Sequence, residues 1–384
     1  MSSQDLTTDT EMTVFRDMTR RLLEQEVQPH YEQWEKDGIM PRALWNTLGQ
    51  AGLLAVDVPE AFGGCGVPFP YSMMILEEMG RMGFAALACN VMVHSDIVTP
   101  YLTHIGNEAQ KAEWLPRLVS GEAVGAIAMT EPGAGSDLQG MRTTARADGD
   151  DFILNGSKTF ITNGQHADLV IVAAKTDPNA GARGVSLFLV DTKLPGFSRG
   201  RNLDKIGMHS GDTSELFFED LRVPASAILG ELNRGFSYLM QELPRERLSI
   251  GQIAVACARG ALDWTIAYVE ERQAFGQPLS QLQNTRFRLA EMYSDFRASQ
   301  ALVKECIDLY SRDALDAPTG SLAKLNASEM QGRVIDGCLQ LFGGYGYMTE
   351  YPIARAYVDA RVQRIYGGTS EIMKEMVARG LLGR

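Results

Sequence analysis

The hydrophobic positions in the first third of the chain recur at helical spacing. Phe15, Met18 and Leu22 lie three or four residues apart, the spacing that gives a helix one buried face. A second apolar helix is predicted over residues 71–82, after a looser Gly-containing segment. Residues 12 to about 122 are therefore predicted to be helical, and long helices of this kind usually form scaffold.

The pattern changes between about 123 and 235, where short apolar runs are separated by prolines and glycines. Residues 148–151 (Asp-Gly-Asp-Asp) predict a hairpin turn, and Asn155-Gly156 predicts a second turn. Apolar strands are predicted at 169–174, 185–190 and 216–218. This part of the chain is therefore expected to be a β domain between two helical regions.

From about 236 the helical period returns. Ile250, Ile253 and Cys257 step by three or four, residues 316–320 (Asp-Ala-Pro-Thr-Gly) interrupt the run, and another helix is expected near Ser321. Successive long helices favour an antiparallel bundle. The predicted fold class is α+β multidomain, with an N-terminal helical domain, a central β-barrel-like domain and a C-terminal four-helix bundle. The corresponding domains are 1–122, 123–235 and 236–384.

Composition and charge narrow the classes of function. With 384 residues, 45% of them hydrophobic and 22% charged, the chain can fold into two or three domains. The formal net charge of -12 argues against a nucleic-acid partner, because phosphate neutralisation needs a basic surface. Five scattered cysteines without C-x-x-C spacing, and five histidines without H-E-x-x-H spacing, predict reduced thiols and no metal centre.

The chain contains no apolar run of eighteen or more residues, so no membrane span is predicted. Its first thirteen residues are polar and acidic, with neither a signal-peptide pattern nor an Arg-rich transit pattern. A cytoplasmic location is the resulting expectation.

One loop, residues 128–137 (Ala-Met-Thr-Glu-Pro-Gly-Ala-Gly-Ser-Asp), is the first candidate for chemistry. Pro132 fixes its own φ and Gly133 permits positive φ, so the backbone there can approach a flat or phosphorylated ligand closely. The loop is not a P-loop, and Leu138 stands where a dinucleotide-binding turn needs glycine. Taken alone, it is also compatible with an ordinary turn at the end of a strand.

Further segments are polar or glycine-rich where a plain scaffold would not require it. They are 158–164 (Lys-Thr-Phe-Ile-Thr-Asn-Gly), 272–276 (Arg-Gln-Ala-Phe-Gly), 340–346 (Gln-Leu-Phe-Gly-Gly-Tyr-Gly) and 365–371 (Ile-Tyr-Gly-Gly-Thr-Ser-Glu). Each alone could be a turn, a helix cap or a close helix crossing. Their conjunction, in this order along an α-β-α chain, is hard to assign to turns alone.

With these motifs the chain resembles the acyl-CoA dehydrogenase family over nearly its whole length. Residues 205–213 and 217–224 match further stretches of that family. The resemblance implies FAD as cofactor, an acyl-CoA substrate, oxidation to a trans-2-enoyl-CoA, and an electron-transfer flavoprotein as acceptor. It also implies a homodimer or a dimer of dimers, because one cofactor is shared between chains.

The resemblance assigns roles to residues by motif position. Phe160 takes a place against the flavin ring that is often filled by tryptophan. The implied contacts to the chain's own FAD are Ile127, Met129, Thr130, Gly135, Ser136, Phe160, Ile161, Thr162, Thr369 and Glu371. The implied contacts to the FAD of a neighbouring subunit are Arg272, Phe275, Gln283, Gln340, Gly343 and Gly344. The implied substrate contacts are Ser136, Arg247, Gly367 and Gly368.

The catalytic base is the point where the chain departs from many family members. They carry it at the position of Gly367, and glycine cannot take a proton, so the chain is inactive, catalyses a changed reaction, or has its base elsewhere. Residues 242–248 (Glu-Leu-Pro-Arg-Glu-Arg-Leu) resemble the helix that carries the glutamate in isovaleryl-CoA and long-chain acyl-CoA dehydrogenases. Glu246 is therefore the predicted base, with Glu371 and Glu131 as rivals. Without the resemblance, Glu246 would be taken for an exposed acid paired with a neighbouring arginine.

Two other functions remain open at this stage: a flavin-dependent monooxygenase or oxidase on the same fold, and a non-catalytic acyl-CoA-binding protein. Substrate length is poorly determined. Resemblance to long-chain members through residues 211–218 and 351–361 favours a medium-to-long acyl chain, and the missing side chain at Gly367 suggests room for a methyl branch.

Overall fold

The structure, a computed structural model, describes residues 3–383 and begins with a helical region. A π-helical segment, Val93–Val98, joins two of its helices and is lined with buried side chains. The helices are α1 (Ser3–Leu22), α2 (Tyr31–Asp37), α3 (Ala43–Gln50), α4 (Pro70–Arg81), α5 (Ala85–Met92), α6 (Thr99–Ile105) and α7 (Glu108–Val119).

A seven-stranded sheet follows. The strands are β1 (Gly125–Ala128), β2 (Thr144–Asp148), β3 (Asp151–Thr162), β4 (Leu169–Lys175), β5 (Val185–Asp191), β6 (Phe197–Asn202) and β7 (Thr213–Pro224). They pair in the order β1-β4-β2-β3-β7-β6, with β5 on β4, and β1 runs parallel to β4. The sheet has its own hydrophobic core, which includes Leu154, Phe188 and Phe218. The predicted hairpin at 148–151 is present, with Asp148 paired to Asp151.

The second predicted turn, at Asn155-Gly156, is wrong. Strand β3 continues through this pair, and the register with β7 shifts between Leu154 and Gly156. Gly156 has φ 148°, and the side-chain amide of Asn155 donates to Asp220 Oδ1 at 3.0 Å. The pair forms a bulge because the backbone of Thr143 lies too close to Gly156 for any side chain there.

A second helical region completes the chain. Its helices are α8 (Gly235–Glu271), α9 (Gln283–Tyr310), α10 (Ala317–Phe342), α11 (Pro352–Asp359) and α12 (Ser370–Leu382), with a short hairpin of β8 (Gln273–Ala274) and β9 (Gln277–Pro278) between α8 and α9. Helix α10 begins at Ala317 and not near Ser321. Asp316 caps it by accepting the Thr319 N–H at 2.7 Å, and Pro318 fits its first turn, where no N–H is needed.

Helix α8 packs against both helical regions. It contacts α9 and α10 in the C-terminal bundle and α4 in the N-terminal region. Side chains of α4 such as Met79 share one hydrophobic core with Ile253 and Cys257 of α8. The α+β class with helical, sheet and helical parts is confirmed. We propose the boundaries 1–122, 123–235 and 236–384 for the three domains; residues 1, 2 and 384 lie outside the described part.

The structure bears on three features that were considered from composition: the cysteines, membrane spans and metal sites. All five cysteines are free, and four of them are buried. Within residues 3–383, no helix is long and apolar enough to cross a membrane. Over the same residues, no group of His, Cys, Asp or Glu side chains is arranged to hold a metal ion.

Candidate active site

A cavity of about 610 Å³ lies where the sheet meets the helices on both sides of it. Its walls combine residues that the sequence separates by more than two hundred positions, and the apolar part includes Met92, Val93 and Ile97. The cavity is in the size range of small-molecule sites. The sequence-predicted residues that line it are Ile127, Met129, Thr130, Gly135, Ser136, Phe160, Ile161, Thr162, Glu246, Gly367, Gly368 and Thr369.

The loop after β1 is held by a buried ion pair. Lys158 Nζ lies 2.9 Å from Glu131 Oε1, and the Glu131 carboxylate also accepts the backbone N–H groups of Arg142 and Thr143. Burial opposes ionisation of Glu131, but Lys158 and these donors outweigh it and lower the pKa. A carboxylate so fully engaged fixes the loop and is not free to take a proton from a substrate.

The wall built by this loop and β3 offers an exposed ring and free hydroxyl groups. Phe160 is 68% exposed and has φ 59°, an uncommon conformation for a bulky residue. The side-chain hydroxyls of Thr130, Ser136 and Thr162 have no hydrogen-bond partner within the described residues. An exposed apolar ring beside unpaired hydroxyls is suited to a flat ligand with polar edges, such as a flavin.

Glu246 projects from α8 into the opposite side of the cavity. It is 3% exposed, and Tyr101 on α6 donates to its Oε1 at 2.9 Å. Burial raises the pKa of Glu246 to about 7, the charge of Glu242 contributes in the same direction, and Tyr101 and Arg247 oppose both. A carboxyl group that titrates near neutral pH beside a cavity is suited to general-base work.

The two arginines beside Glu246 do not pair with it. Arg245 turns away, lying 2.6 Å from Asp57 and 3.2 Å from Asp96, while Arg247 donates to Ser321 at 2.9 Å. The alternative interpretation of Glu246, an exposed acid paired with an arginine, therefore does not describe this residue. The helix separates the three side chains around its axis, so charged neighbours in the sequence face different surroundings.

The rival base Glu371 is exposed in the first turn of α12 and does not line the cavity. Hydrogen bonds at the helix start lower its pKa, so it is a weaker base than Glu246 at neutral pH. Its predicted contact with the flavin stays a prediction.

The segment facing Glu246 is held from behind by a lysine. Gly367 and Gly368 both have positive φ, 60° and 94°, and the buried Lys324 donates from Nζ to the Gly368 carbonyl at 2.5 Å. Burial lowers the pKa of Lys324 to about 8, and nearby Arg247 acts in the same direction. Sequence reasoning missed Lys324 and Tyr101, because each lies in an ordinary helix far from the motifs.

The predicted contacts to a neighbouring subunit lie on a separate surface. Arg272, Gln340, Gly343 and Gly344 line a second, shallower concavity, in which the Arg272 guanidinium stands 5.3 Å from the ring centroid of Tyr345. Phe275 is 91% exposed at φ 54°, and Gln283 is exposed as well. Phe275 and Gln283 line neither of the two cavities. One subunit alone therefore does not bring the predicted contacts to its own FAD together with the predicted contacts to a neighbour's FAD.

Comparison with known proteins matches all three parts of the chain. Models of the N-terminal, middle and C-terminal domains of acyl-CoA dehydrogenases match residues 9–122, 126–221 and 233–382. The mitochondrial long-chain specific acyl-CoA dehydrogenase of Sus scrofa is 49% identical over 374 residues, which is 97% of this chain and 86% of the relative.

Solved structures of acyl-CoA dehydrogenases are also similar to this chain. An acyl-CoA dehydrogenase from Geobacillus kaustophilus superposes with a TM-score of 0.95 at 48% identity, covering 97% of this chain and 98% of that one. A glutaryl-CoA dehydrogenase from Mycobacterium smegmatis in complex with FADH2 gives a TM-score of 0.92 at 32% identity, with 100% and 97% covered.

Proposed function

Because the chain belongs to the acyl-CoA dehydrogenase family and is a flavin-dependent oxidoreductase that uses FAD, we propose that Glu246 is its catalytic base. In this proposal Glu246 takes the α-proton of an acyl-CoA while the β-hydrogen leaves as hydride, giving a trans-2-enoyl-CoA. The observation that carries it is a buried carboxyl group, with a pKa of about 7, that lines the same cavity as Phe160 and Gly367.

The residues of the cavity divide the work of the reaction. FAD, when bound, accepts the hydride from the β-carbon. The thioester α-proton is weakly acidic, so donors are needed where negative charge develops on the carbonyl oxygen, and the backbone N–H of Gly367 is the donor we propose. Lys324 holds the adjoining peptide by its bond to Gly368. The apolar walls exclude water and so keep the proton on Glu246 until the product leaves.

The side chains and open backbone of the cavity wall support the assignment of the FAD contacts. Thr130, Ser136 and Thr162 supply the free hydroxyls, Phe160 faces the flavin ring, and Thr369 lines the opposite side. The remaining proposed contacts are Ile127, Met129, Gly135, Ile161 and Glu371. Since Gly133 and Gly135 have open space where a side chain would begin, the loop leaves room for a ligand against its backbone.

We propose that the second concavity binds the FAD of a neighbouring subunit in a homodimer or a dimer of dimers. Its cation, Arg272, makes no ion pair within residues 3–383, and the exposed ring of Phe275 is suited to burial at an interface. Gln283, Gln340, Gly343 and Gly344 complete the proposed contact. Arg272→Gln should lower the FAD content of the purified oligomer, whereas a monomer in sedimentation would contradict the shared site.

The substrate we propose is a medium-to-long acyl-CoA. The long-chain relative at 49% identity supports chain length, but the structure does not leave the space beside Gly367 empty: a side chain there would overlap Ile250 Cδ1. A methyl branch would therefore need Ile250 to move. A series of kcat/KM values over chain length and branching decides the question, and a sharp optimum at butyryl-CoA would refute the proposal.

Substitution of the base tests the central assignment. Glu246→Gln should leave FAD bound, seen by flavin absorbance, and lower turnover by about 10²- to 10⁴-fold. Glu371→Gln is the matched comparison because it makes the same replacement of a carboxylate by an amide at the rival position. If Glu246→Gln kept full activity while Glu371→Gln lost it, the assignment would be wrong.

The electron acceptor we propose is an electron-transfer flavoprotein, and the location we propose is the cytoplasm, consistent with five free thiols. The alternative is an oxidase or monooxygenase on the same fold. Reoxidation of the substrate-reduced enzyme by an electron-transfer flavoprotein, and not by oxygen, separates the two. A purified protein without flavin absorbance would support the third possibility, a non-catalytic binding protein.

A further inference from the structure

Two carboxylates on α8 face two partners on α6. Glu242 and Glu246 are one helical turn apart, and Tyr101 and His104 are three residues apart on the facing helix. Tyr101 donates to Glu246 at 2.9 Å, while His104 Nδ1 lies 3.0 and 3.2 Å from the two oxygens of Glu242. The proposed base is therefore one member of a four-residue set.

The four side chains differ in their access to solvent and substrate. Glu242, Glu246 and Tyr101 are all less than 5% exposed, but the side chain of His104 is 39% exposed. Glu246 lines the cavity and Glu242 does not, so Glu242 acts on the reaction only through its neighbour. In a buried setting the two carboxylates repel each other strongly, because little water screens them.

We propose that Glu242 is a positioning residue that controls the acid–base equilibrium of Glu246, and that His104 limits this control through the contact of its imidazole with the Glu242 carboxylate. The inference rests on the proposed function, in which Glu246 is the base. A negative charge on Glu242 makes a proton on Glu246 more favourable, and an imidazole N–H donated to the Glu242 carboxylate at 3.0 Å reduces that influence.

The surroundings of the pair fix the sign of the expected effect. The other titratable groups that face it are Tyr101 on α6, Arg247 on α8 and Tyr310 on α9. Burial is the first cause of the raised pKa of Glu246, the charge of Glu242 adds to it, and Arg247 and the hydroxyl of Tyr101 act against it.

Two substitutions should therefore move the pH profile in opposite directions. Glu242→Gln removes the repelling charge and keeps the shape, so the acid limb of kcat/KM should move to lower pH. His104→Phe keeps a ring but removes the donor to Glu242, so the same limb should move to higher pH. We expect shifts of roughly half to one pH unit, equivalent to about 3- to 10-fold in kcat/KM at a pH below the limb.

The experiment is a set of kcat/KM profiles from pH 5.5 to 9 on the FAD-loaded enzyme, with one acyl-CoA and one artificial electron acceptor. Glu271→Gln, an exposed carboxylate at the far end of α8, is the control and should not shift the limb. In the double variant Glu242→Gln/His104→Phe, the effect of His104→Phe should vanish, because the carboxylate that His104 contacts is gone.

The outcomes separate this inference from the function on which it rests. Shifts of the acid limb in opposite directions in the Glu242 and His104 variants support the inference. Unchanged profiles, or shifts of the same sign in both variants, overturn it while Glu246→Gln remains inactive. Full activity in Glu246→Gln would instead refute the assignment of the base. If Glu242→Gln fails to fold, His104→Phe still decides, because an unmoved acid limb in that variant overturns the inference.

Discussion

Replacing Tyr101 by Phe removes the one hydrogen bond that the carboxylate of Glu246 accepts within the described residues. A hydrogen bond to an ionised group contributes about 1.5–3 kcal/mol, and one pKa unit corresponds to about 1.4 kcal/mol. The substitution should therefore raise the pKa of Glu246 from about 7 by roughly one to two further units. The ring remains, so the packing of α6 on α8 is kept.

The base acts when it is deprotonated, so the loss depends on pH. At pH 7 about half of the wild-type Glu246 is ionised, and in Tyr101→Phe the ionised fraction falls to about one tenth to one hundredth. The value of kcat/KM at pH 7 should thus fall about 5- to 50-fold, and much of it should return near pH 9.5. A kcat/KM profile over pH 5.5–10 measures both effects.

Tyr293→Phe is the matched control, since Tyr293 is exposed on α9 and its hydroxyl accepts from Arg297 on the same helix. Its profile should coincide with that of the wild type. A uniform loss of activity at every pH in Tyr101→Phe would refute the reasoning, because it would show that the hydroxyl serves structure and does not govern the proton on Glu246.

Three further predictions concern buried charge. Glu246→Gln should raise the thermal midpoint of the FAD-loaded enzyme relative to wild type at pH 8 but not at pH 4.5. The reason is that a carboxyl group whose pKa rises from 4.5 to about 7 on folding costs about 3 kcal/mol of stability once it is ionised. An equal gain at both pH values would contradict this. Lys324→Met should lower kcat about 10- to 100-fold with little change in KM, because the Gly368 carbonyl loses its buried donor. Lys324→Arg should restore part of the lost kcat, and an unchanged kcat in Lys324→Met would refute the proposed role of Lys324. Glu131→Gln should lower the free energy of chemical unfolding by about 3–5 kcal/mol, because Lys158 then keeps a buried charge without its partner. Adding Lys158→Met should recover most of that loss, and no recovery would show that the loop depends on the shape of Glu131 and not on the ion pair.

The sequence predicted most of the fold because its signals are local. Periodicity located the long helices and the Val-rich strands, and the motifs located the cavity walls. One error occurred where distant contacts override a local preference, and another where a local signal was overlooked. Asn155-Gly156 is a bulge because Thr143 and Asp220 lie against it, and the start of α10 was missed although its cap, Asp316, is a local signal.

The site was only partly predictable for the same reason. The motifs indicated which segments line the cavity, but the side chains that we propose adjust the chemistry come from helices without motifs. Tyr101, His104 and Lys324 are unremarkable in the sequence, and only packing places them behind the reacting groups. The direction in which Glu246 points, away from both neighbouring arginines, also depends on the burial of its helix face.

The position of the proposed base on α8 is coupled to the glycine at 367. Ile250 follows Glu246 by one helical turn and is 2% exposed, and its Cδ1 occupies the place where a side chain at 367 would begin. Gly367 also has φ 60°, which a glutamate adopts only with strain. A base on that loop and Ile250 on α8 therefore compete for one volume. A carboxylate at 367 is thus incompatible with the present packing of α8 against the loop, and α8 itself carries a carboxylate that lines the same cavity.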